Sequence, residues 1–465
     1  DVQFAQQTEG LTPLSSNPIK TRFVRIVLEE SCRCLSRKTT DIRDGLGYAI
    51  RELYIGTVDG KGRFHDAIRH SAKHGQQTEI VASSTDPWHT AANKDLRTEQ
   101  PSFDRVVASG LTHGNPMMVP VGVLYDTPEN AAAEIAWLRA RGYKFDFVEV
   151  GEEPDGQYAT PEDYGALYIQ FADAIRRVAP DVKLGGPCFQ TTTSAYFTMP
   201  LHGDRRTWLR RFLDYLGKRG RLNDYQFFSF EWYPFDKGCG DTAPQLAEHA
   251  SLLTGVLERL QRDGLSRDIP WFVSEYGYSA FGVRPEVDIE GAILDAETVA
   301  LFLQLGGTRT YLYGFEPNSL MDELSCNSWG NNAMFLADDD GQAFASTAIY
   351  WATRLIDEQW VVPGTSSHEM FVVDSSEPLV AAYALRRPDH KWGLLVLNKD
   401  PKREYAVTFP ADADVYRYSR EQYVWKANGE HGRPAKNKPP SFDRIRAGET
   451  VVLPPYSISV VRLPE

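Results

Sequence analysis

The sequence lacks most of the features that mark a reaction at first sight. Its five cysteines, Cys32, Cys34, Cys188, Cys239 and Cys326, form no CxxC pair, which argues against a structural zinc site. They are either free thiols or include one disulfide. Cys239 and Cys326 are the pair to test, since both fall in predicted loops, and the redox compartment stays open. No apolar run approaches the ~20 residues that span a bilayer, so no membrane span is expected. Nothing at the N-terminus reads as a signal peptide, although a mature exported chain would already have lost one. The expected location is secreted or periplasmic, with the cytoplasm as the alternative. Basic residues are outnumbered, 50 Lys and Arg against 63 Asp and Glu. The resulting net charge of -13 argues against nucleic acid as a partner, because phosphates need clustered cations. HExxH, EF-hand spacing and histidine clusters are absent, and there is no internal repeat.

What is present fits a soluble globular protein: 42% hydrophobic and 24% charged residues over 465 positions, enough for two or three domains. From residue 117 the chain alternates. Apolar runs at 117–123, 145–150, 182–186, 226–232, 271–275 and 309–315 read as strands. Helical patterns at 127–142, 160–180, 207–217, 244–262 and 290–304 separate them. Thr127 and Pro128 suit a helix start and Gly142 a stop. Tyr164, Leu167, Tyr168, Phe171, Ile175 and Val178 make one apolar stripe, ended by Pro180. Strand and helix in alternation imply parallel strands with crossover helices.

The α/β reading is a (β/α)8 TIM barrel with flanking all-β domains, and the alternative is a doubly wound open sheet. The open sheet leads one to expect a glycine-rich phosphate loop after its first strand, and none is visible. "TEIVASS" at 78–84 is a candidate seventh strand. The expected division is a β-rich segment 1–77, a barrel 78–360 and a β-sandwich 361–465.

Catalytic groups of a parallel barrel stand at the C-terminal ends of its strands. Here four strand ends bring carboxylates: Glu152 and Glu153 after 145–150, Glu231 within 226–232, Glu275 closing 271–275, and Glu316 after 309–315. Two carboxyl groups flanking a bond, one neutral and one ionised, are what glycosidic cleavage needs. Surface glutamates in ordinary loops are the plain alternative for any one of them. Glu153 and Glu275 together, each closing an apolar strand, are harder to explain that way. Glu152 and Glu231 are also weighed as ligands of a hard cation, but no accompanying motif supports a metal, and none is expected.

These residues carry a resemblance. "VEVGEEPDG" (148–156) resembles the fourth-strand Gly-Asn-Glu-Pro motif of the clan A glycoside hydrolases. "WFVSEYG" (271–277) resembles their seventh-strand nucleophile motif, and "SFEWYPF" (229–235) their sixth-strand Ser-x-His-x-Tyr-Pro segment. "KLGGP" (183–187) is similar to their fifth strand. The nearest in style are barrels with a trailing β-sandwich, the β-xylosidase/α-L-iduronidase and β-glucuronidase families. The resemblance implies a retaining glycosidase with Glu153 as acid/base and Glu275 as nucleophile, needing no cofactor and acting on an oligosaccharide or polysaccharide. Tyr233 matches the tyrosine that touches the nucleophile.

Two positions depart from the pattern: Glu152 replaces an Asn and Glu231 a His. Both add negative charge, so the expected substrate is a neutral sugar, or an amino sugar, rather than a uronic acid. Glu152 pointing away from the cleft is the alternative. Trp88, His89, Trp232, Tyr276, Tyr278, Phe315 and Trp329 are further candidates to line sugar subsites, with core packing as the rival role for about half of the aromatics. Residues 20–70 resemble the later strands of discoidin domains at "RFVRIVL" and "GYAIRELYIGT". Rival readings are a sugar-binding protein without turnover and a transglycosylase on the same residues.

Overall fold

The computed structural model describes residues 56–66, 103–124, 127–156, 159–190, 206–235, 240–280, 284–315, 317, 333–338, 342–364, 367–428 and 431–464. The chain divides into two compact units, Asp1–His74 and Gly75–Glu465. In the first, β1 (Gly56–Val58) pairs antiparallel with β2 (Phe64–Asp66). The turn between them forms because the Asp59 carboxylate accepts from the amides of Lys61 at 2.8 Å and Arg63 at 3.0 Å, while Gly62 takes a φ of 77°. The rest of the discoidin-like stretch lies outside the described residues, as does the candidate strand 78–84.

The second unit is built on a parallel sheet of six strands in sequential order. They are β3 (Met117–Val121), β4 (Phe145–Val150), β5 (Lys183–Phe189), β6 (Phe227–Trp232), β7 (Trp271–Tyr276) and β8 (Arg309–Leu312). All six apolar runs are thus strands, although β8 stops three residues short of its run. Helices Pro128–Ala140, Pro161–Val178, Trp208–Lys218, Thr242–Arg262 and Ile289–Gln304 provide the crossovers. Their starts follow capping chemistry: the hydroxyls of Thr127, Thr160 and Thr207 accept an amide three residues on, and Asp241 accepts from Ala243. In the helix Pro161–Val178, Tyr164, Tyr168, Phe171 and Ile175 are buried as the stripe implies, but Val178 at the end of the last turn is exposed.

The sheet's interior face is layered. Near the lower end Arg309 on β8 pairs with Asp146 on β4 at 2.6 Å. Above them Phe147, Phe227 and Phe272 close into an aromatic plug with ring centroids about 5 Å apart, in contact with Met118. Two residues further along each of those three strands come Glu149, Ser229 and Ser274. Apolar packing therefore gives way to buried polar groups, and then to the cleft.

After the parallel sheet, β9 (Phe335–Ala337) pairs antiparallel with β10 (Ala343–Ser346). Beyond residue 368 the described residues are all-β. Six antiparallel strands run in the order β11 (Glu369–Phe371), β12 (Val380–Arg386), β13 (Trp392–Asn398), β20 (Ser457–Leu463), β15 (Ala413–Ser419) and β18 (Ser441–Ile445). Two short pairs flank this sheet, β14 (Tyr405–Thr408) with β19 (Thr450–Leu453), and β16 (Tyr423–Lys426) with β17 (Arg433–Asn437). Strand alternation gives the sheet two apolar faces. Leu395, Leu397, Ile458 and Val460 join the core shared with the barrel helices, whereas Val396 and Val461 join a second core with Val415, Val451 and Leu453. Among the described residues, no helix is long and apolar enough to cross a membrane.

Candidate active site

Glu231 ends the interior row of β6, after Phe227 and Ser229. On an unbroken β7, Glu275 would share a face with Val273 and point at the helices. Instead the ladder between β6 and β7 is irregular: Phe230 sits opposite Val273, and the next residue, Glu231, opposite Glu275. The extra residue, Ser274, re-aims Glu275 beside Glu231, as bulges at strand ends do. From β4, Gly151 takes a φ of 90° and Glu153 a φ of 47°, turning the chain sharply over the sheet. The Glu153 amide donates to the Cys188 carbonyl at 2.9 Å, tying this turn to the end of β5.

Glu152, Glu231 and Glu275 each bring a carboxylate oxygen within 4.8 Å of the others. The sequence alternative in which Glu152 points away from the cleft is therefore not what the structure adopts. Such a cluster has the oxygen chemistry of a hard-cation site, but its groups are also placed to share protons among themselves. The charge of Glu153 acts on both Glu231 and Glu275. Burial, with the neighbouring charge of Glu152, raises the Glu275 carboxyl to about 8. Burial, with the charge of Glu275, pushes Glu231 well above the usual carboxylate range. One influence opposes the rise at Glu275: the Tyr233 hydroxyl donates to its Oε2 at 3.1 Å. Tyr233 is itself raised well above its ordinary value by burial and then by Glu275, so it keeps its proton and remains a donor.

Several participants escape sequence reading. Glu149, under the cluster, is 6% exposed, and burial raises it to about 7. Among the described residues, its Oε1 has no hydrogen-bond partner. Asp155 is buried and likewise raised to about 7, and its Oδ1 accepts from the Gln190 amide at 3.2 Å. Tyr313, 45% exposed, sets its ring edge-on to Tyr233 with centroids 6.4 Å apart. Its hydroxyl is raised by burial and then by Glu275, which places it at the acidic cluster. The signal for Glu149 was its position two residues after Phe147. The signal for Tyr313 was its place just past the end of β8.

Other expectations move elsewhere. Trp232 and Tyr276, expected at the cleft, are core residues on the outward face of the sheet. Trp232 is fully buried and donates Nε1–H to His249 Nε2 at 2.9 Å. Tyr278 is also fully buried and donates to the Gln245 side chain. For Trp232 and Tyr276 the physical reason is that this face of β6 and β7 is covered by helices, which take up large rings, whereas Tyr278, two residues past β7, is held against the helix Thr242–Arg262. Phe315 is 43% exposed and packs edge-on against Phe335. Trp88, His89, Glu316, Trp329, Cys239 and Cys326 lie outside the described residues.

No protein-family model matches the chain, and no curated protein does. Solved structures do. An alpha-L-arabinofuranosidase from Thermotoga maritima, solved with arabinose, superposes with a TM-score of 0.54 at 13% identity, covering 78% of each chain. A glucosidase from Croceicoccus marinus gives 0.52 at 15% identity over 80% of this chain and 83% of its own. An arabinofuranosidase of family 51 from Xanthomonas axonopodis pv. citri gives 0.50 at 14% identity over 78% of both. This chain shares the fold of these three solved glycosidases. At such low identity the likeness concerns backbone architecture, and it fits the curled parallel sheet with a separate antiparallel region.

Proposed function

We propose that the protein is a retaining glycoside hydrolase in which Glu275 is the nucleophile and Glu153 the acid/base. The observation that carries the reading is the Tyr233–Glu275 hydrogen bond inside a converging set of carboxyl groups. A nucleophile must ionise, and a phenol donor favours the ionised form. Burial and the charge of Glu275 push Glu231 well above the usual carboxylate range, while the Tyr233 hydroxyl opposes the rise at Glu275, so Glu231 retains the proton and Glu275 releases its own. Glu275 then attacks the anomeric carbon as Glu153 protonates the leaving oxygen. Glu153 afterwards takes a proton from the water that releases the sugar. The barrel within 78–360 carries the site and 361–465 trails it as a β-rich region.

The substrate is an oligosaccharide or polysaccharide of neutral or amino sugars. Among the described residues, no Lys or Arg figures in the main influences on Glu231 or Glu275. Four carboxyl groups without such a cation disfavour a uronic acid. Tyr313 offers the exposed ring on which a sugar face can stack. A secreted or periplasmic location suits such substrates.

A panel of aryl glycosides and polysaccharides tests the reading, with Glu275→Gln as control. Hydrolysis with retained anomeric configuration is expected, along with a loss of about a thousandfold or more in the variant. Glucuronides turned over faster than the matching glucosides would overturn the substrate class. Undiminished activity in Glu275→Gln would remove the nucleophile.

A further inference from the structure

Cys188 entered the sequence reading only as one of five thiols. In the structure it lies near the end of β5, 2% exposed and, among the described residues, unpaired with any other sulfur. Its backbone φ is 54°, in the left-handed region where a side chain is strained and glycine is not. Four hydrogen bonds radiate from this residue. Its amide donates to Ser229 Oγ on β6 at 3.0 Å. Its carbonyl accepts the Glu153 amide at 2.9 Å. Its Sγ accepts from the Ser274 hydroxyl on β7 at 3.2 Å. Its S–H donates to Glu231 Oε1 at 3.6 Å, a sulfur-length bond.

We propose that Cys188 is a positioning residue of the site, orienting Glu153 through its carbonyl and the buried Glu231 through its thiol. A single backbone position thereby sets the relative placement of groups arriving from β4, β6 and β7. A glycine would meet the backbone requirement without strain, so the side chain is what the strained conformation retains. Sulfur suits the task because its long bonds and large radius span a gap that an alanine methyl leaves open. Burial, reinforced by the charge of Glu149, pushes the thiol well above its usual value, so it stays protonated and serves as donor rather than nucleophile. Its consequence for turnover rests on the glycosidase reading above. Its consequence for Glu231 does not.

The test uses the full chain carrying Cys188→Ala and Cys188→Ser, each checked for an unchanged melting profile. With an aryl glycoside, Cys188→Ala is expected to lower kcat about fivefold to tenfold with KM within about twofold, and Cys188→Ser to recover most of the loss. Infrared titration of the Glu231 carboxyl, assigned with Glu231→Gln, gives a readout independent of turnover. Losing a weak donor to the anion should raise its midpoint by about half a pH unit in Cys188→Ala. An unmoved Glu231 midpoint in the folded alanine variant would overturn the proposal. A wild-type protein inert on every glycoside, with the midpoint still shifted, would sink the enzymatic reading and leave the positioning role standing. Should Cys188→Ala not fold, Cys188→Gly deletes the same thiol while relieving the backbone, and the same criteria apply.

Discussion

Glu297 and Glu231 are both almost wholly buried glutamates of one compact unit, yet their surroundings differ in kind. Glu297, on the helix Ile289–Gln304, receives Lys399 Nζ at 2.7 and 3.0 Å, the Tyr383 hydroxyl at 3.1 Å and His249 Nδ1 at 2.9 Å. Burial alone would raise it, but Lys399 and His249 outweigh that penalty and hold it near 2. Glu231 receives one thiol and is surrounded by other carboxyl groups, so burial and Glu275 both push it up. The difference separates charge used to join parts from charge kept available for protons. A compensated carboxylate stays ionised through the whole physiological range and does nothing but bind. An uncompensated set is raised above the usual carboxylate range and, on the proposed reading, is what makes protons available to the reaction.

The comparison can be broken most forcefully at Lys399. Lys399→Met should cost about 3–5 kcal/mol in denaturant unfolding, because it leaves the Glu297 charge buried without its ammonium partner. Glu231→Gln should change stability by less than about 1 kcal/mol, or raise it, because it removes a repelled carboxyl. Equal costs for the two would erase the distinction. Next in size is Tyr233→Phe, which deletes the donor to Glu275. It should lower kcat/KM by about tenfold and move the acid limb of the pH profile upward, whereas an unmoved limb would mean that the phenol does not tune Glu275.

The smallest effect concerns pH and stability. Glu275 is raised from 4.5 to about 8, so its contribution is fully present below about 4.5 and is lost as pH rises through about 8. Glu275→Gln should therefore flatten the decline of melting temperature across that window. Glu297 has the opposite sign: its contribution is present above 4.5 and lost as pH falls through about 2. A Glu275→Gln protein that retained the wild-type slope between 4.5 and 8 would place the responsible group elsewhere.

The six strands were legible because strands of a parallel sheet, covered on both faces, are written as nearly continuous apolar runs. The glutamates at their ends stood out against that background. The same continuity hid which face each ring takes. Trp232 and Tyr276 read equally well as cleft or core, and only the helices covering β6 and β7 decide. Glu149 was concealed inside "FDFVEV", where an interior polar residue looks like an ordinary alternation. The irregular pairing of Glu231 with Glu275 leaves no mark in composition or spacing, since it depends on how two strands meet. Cys188 was invisible as a hub because two of its four bonds run through its backbone and the other two join side chains from distant strands.

Trp232 stands between Glu231 and Tyr233, facing away from both, and its indole is fastened through His249 to Glu297 and thence to Lys399 and Tyr383 on the antiparallel sheet. Sequence neighbours on one strand cannot shift independently. A screen for inactive variants should therefore recover positions in the distal sheet alongside those in the cleft, and their phenotype would mimic damage to the chemistry itself.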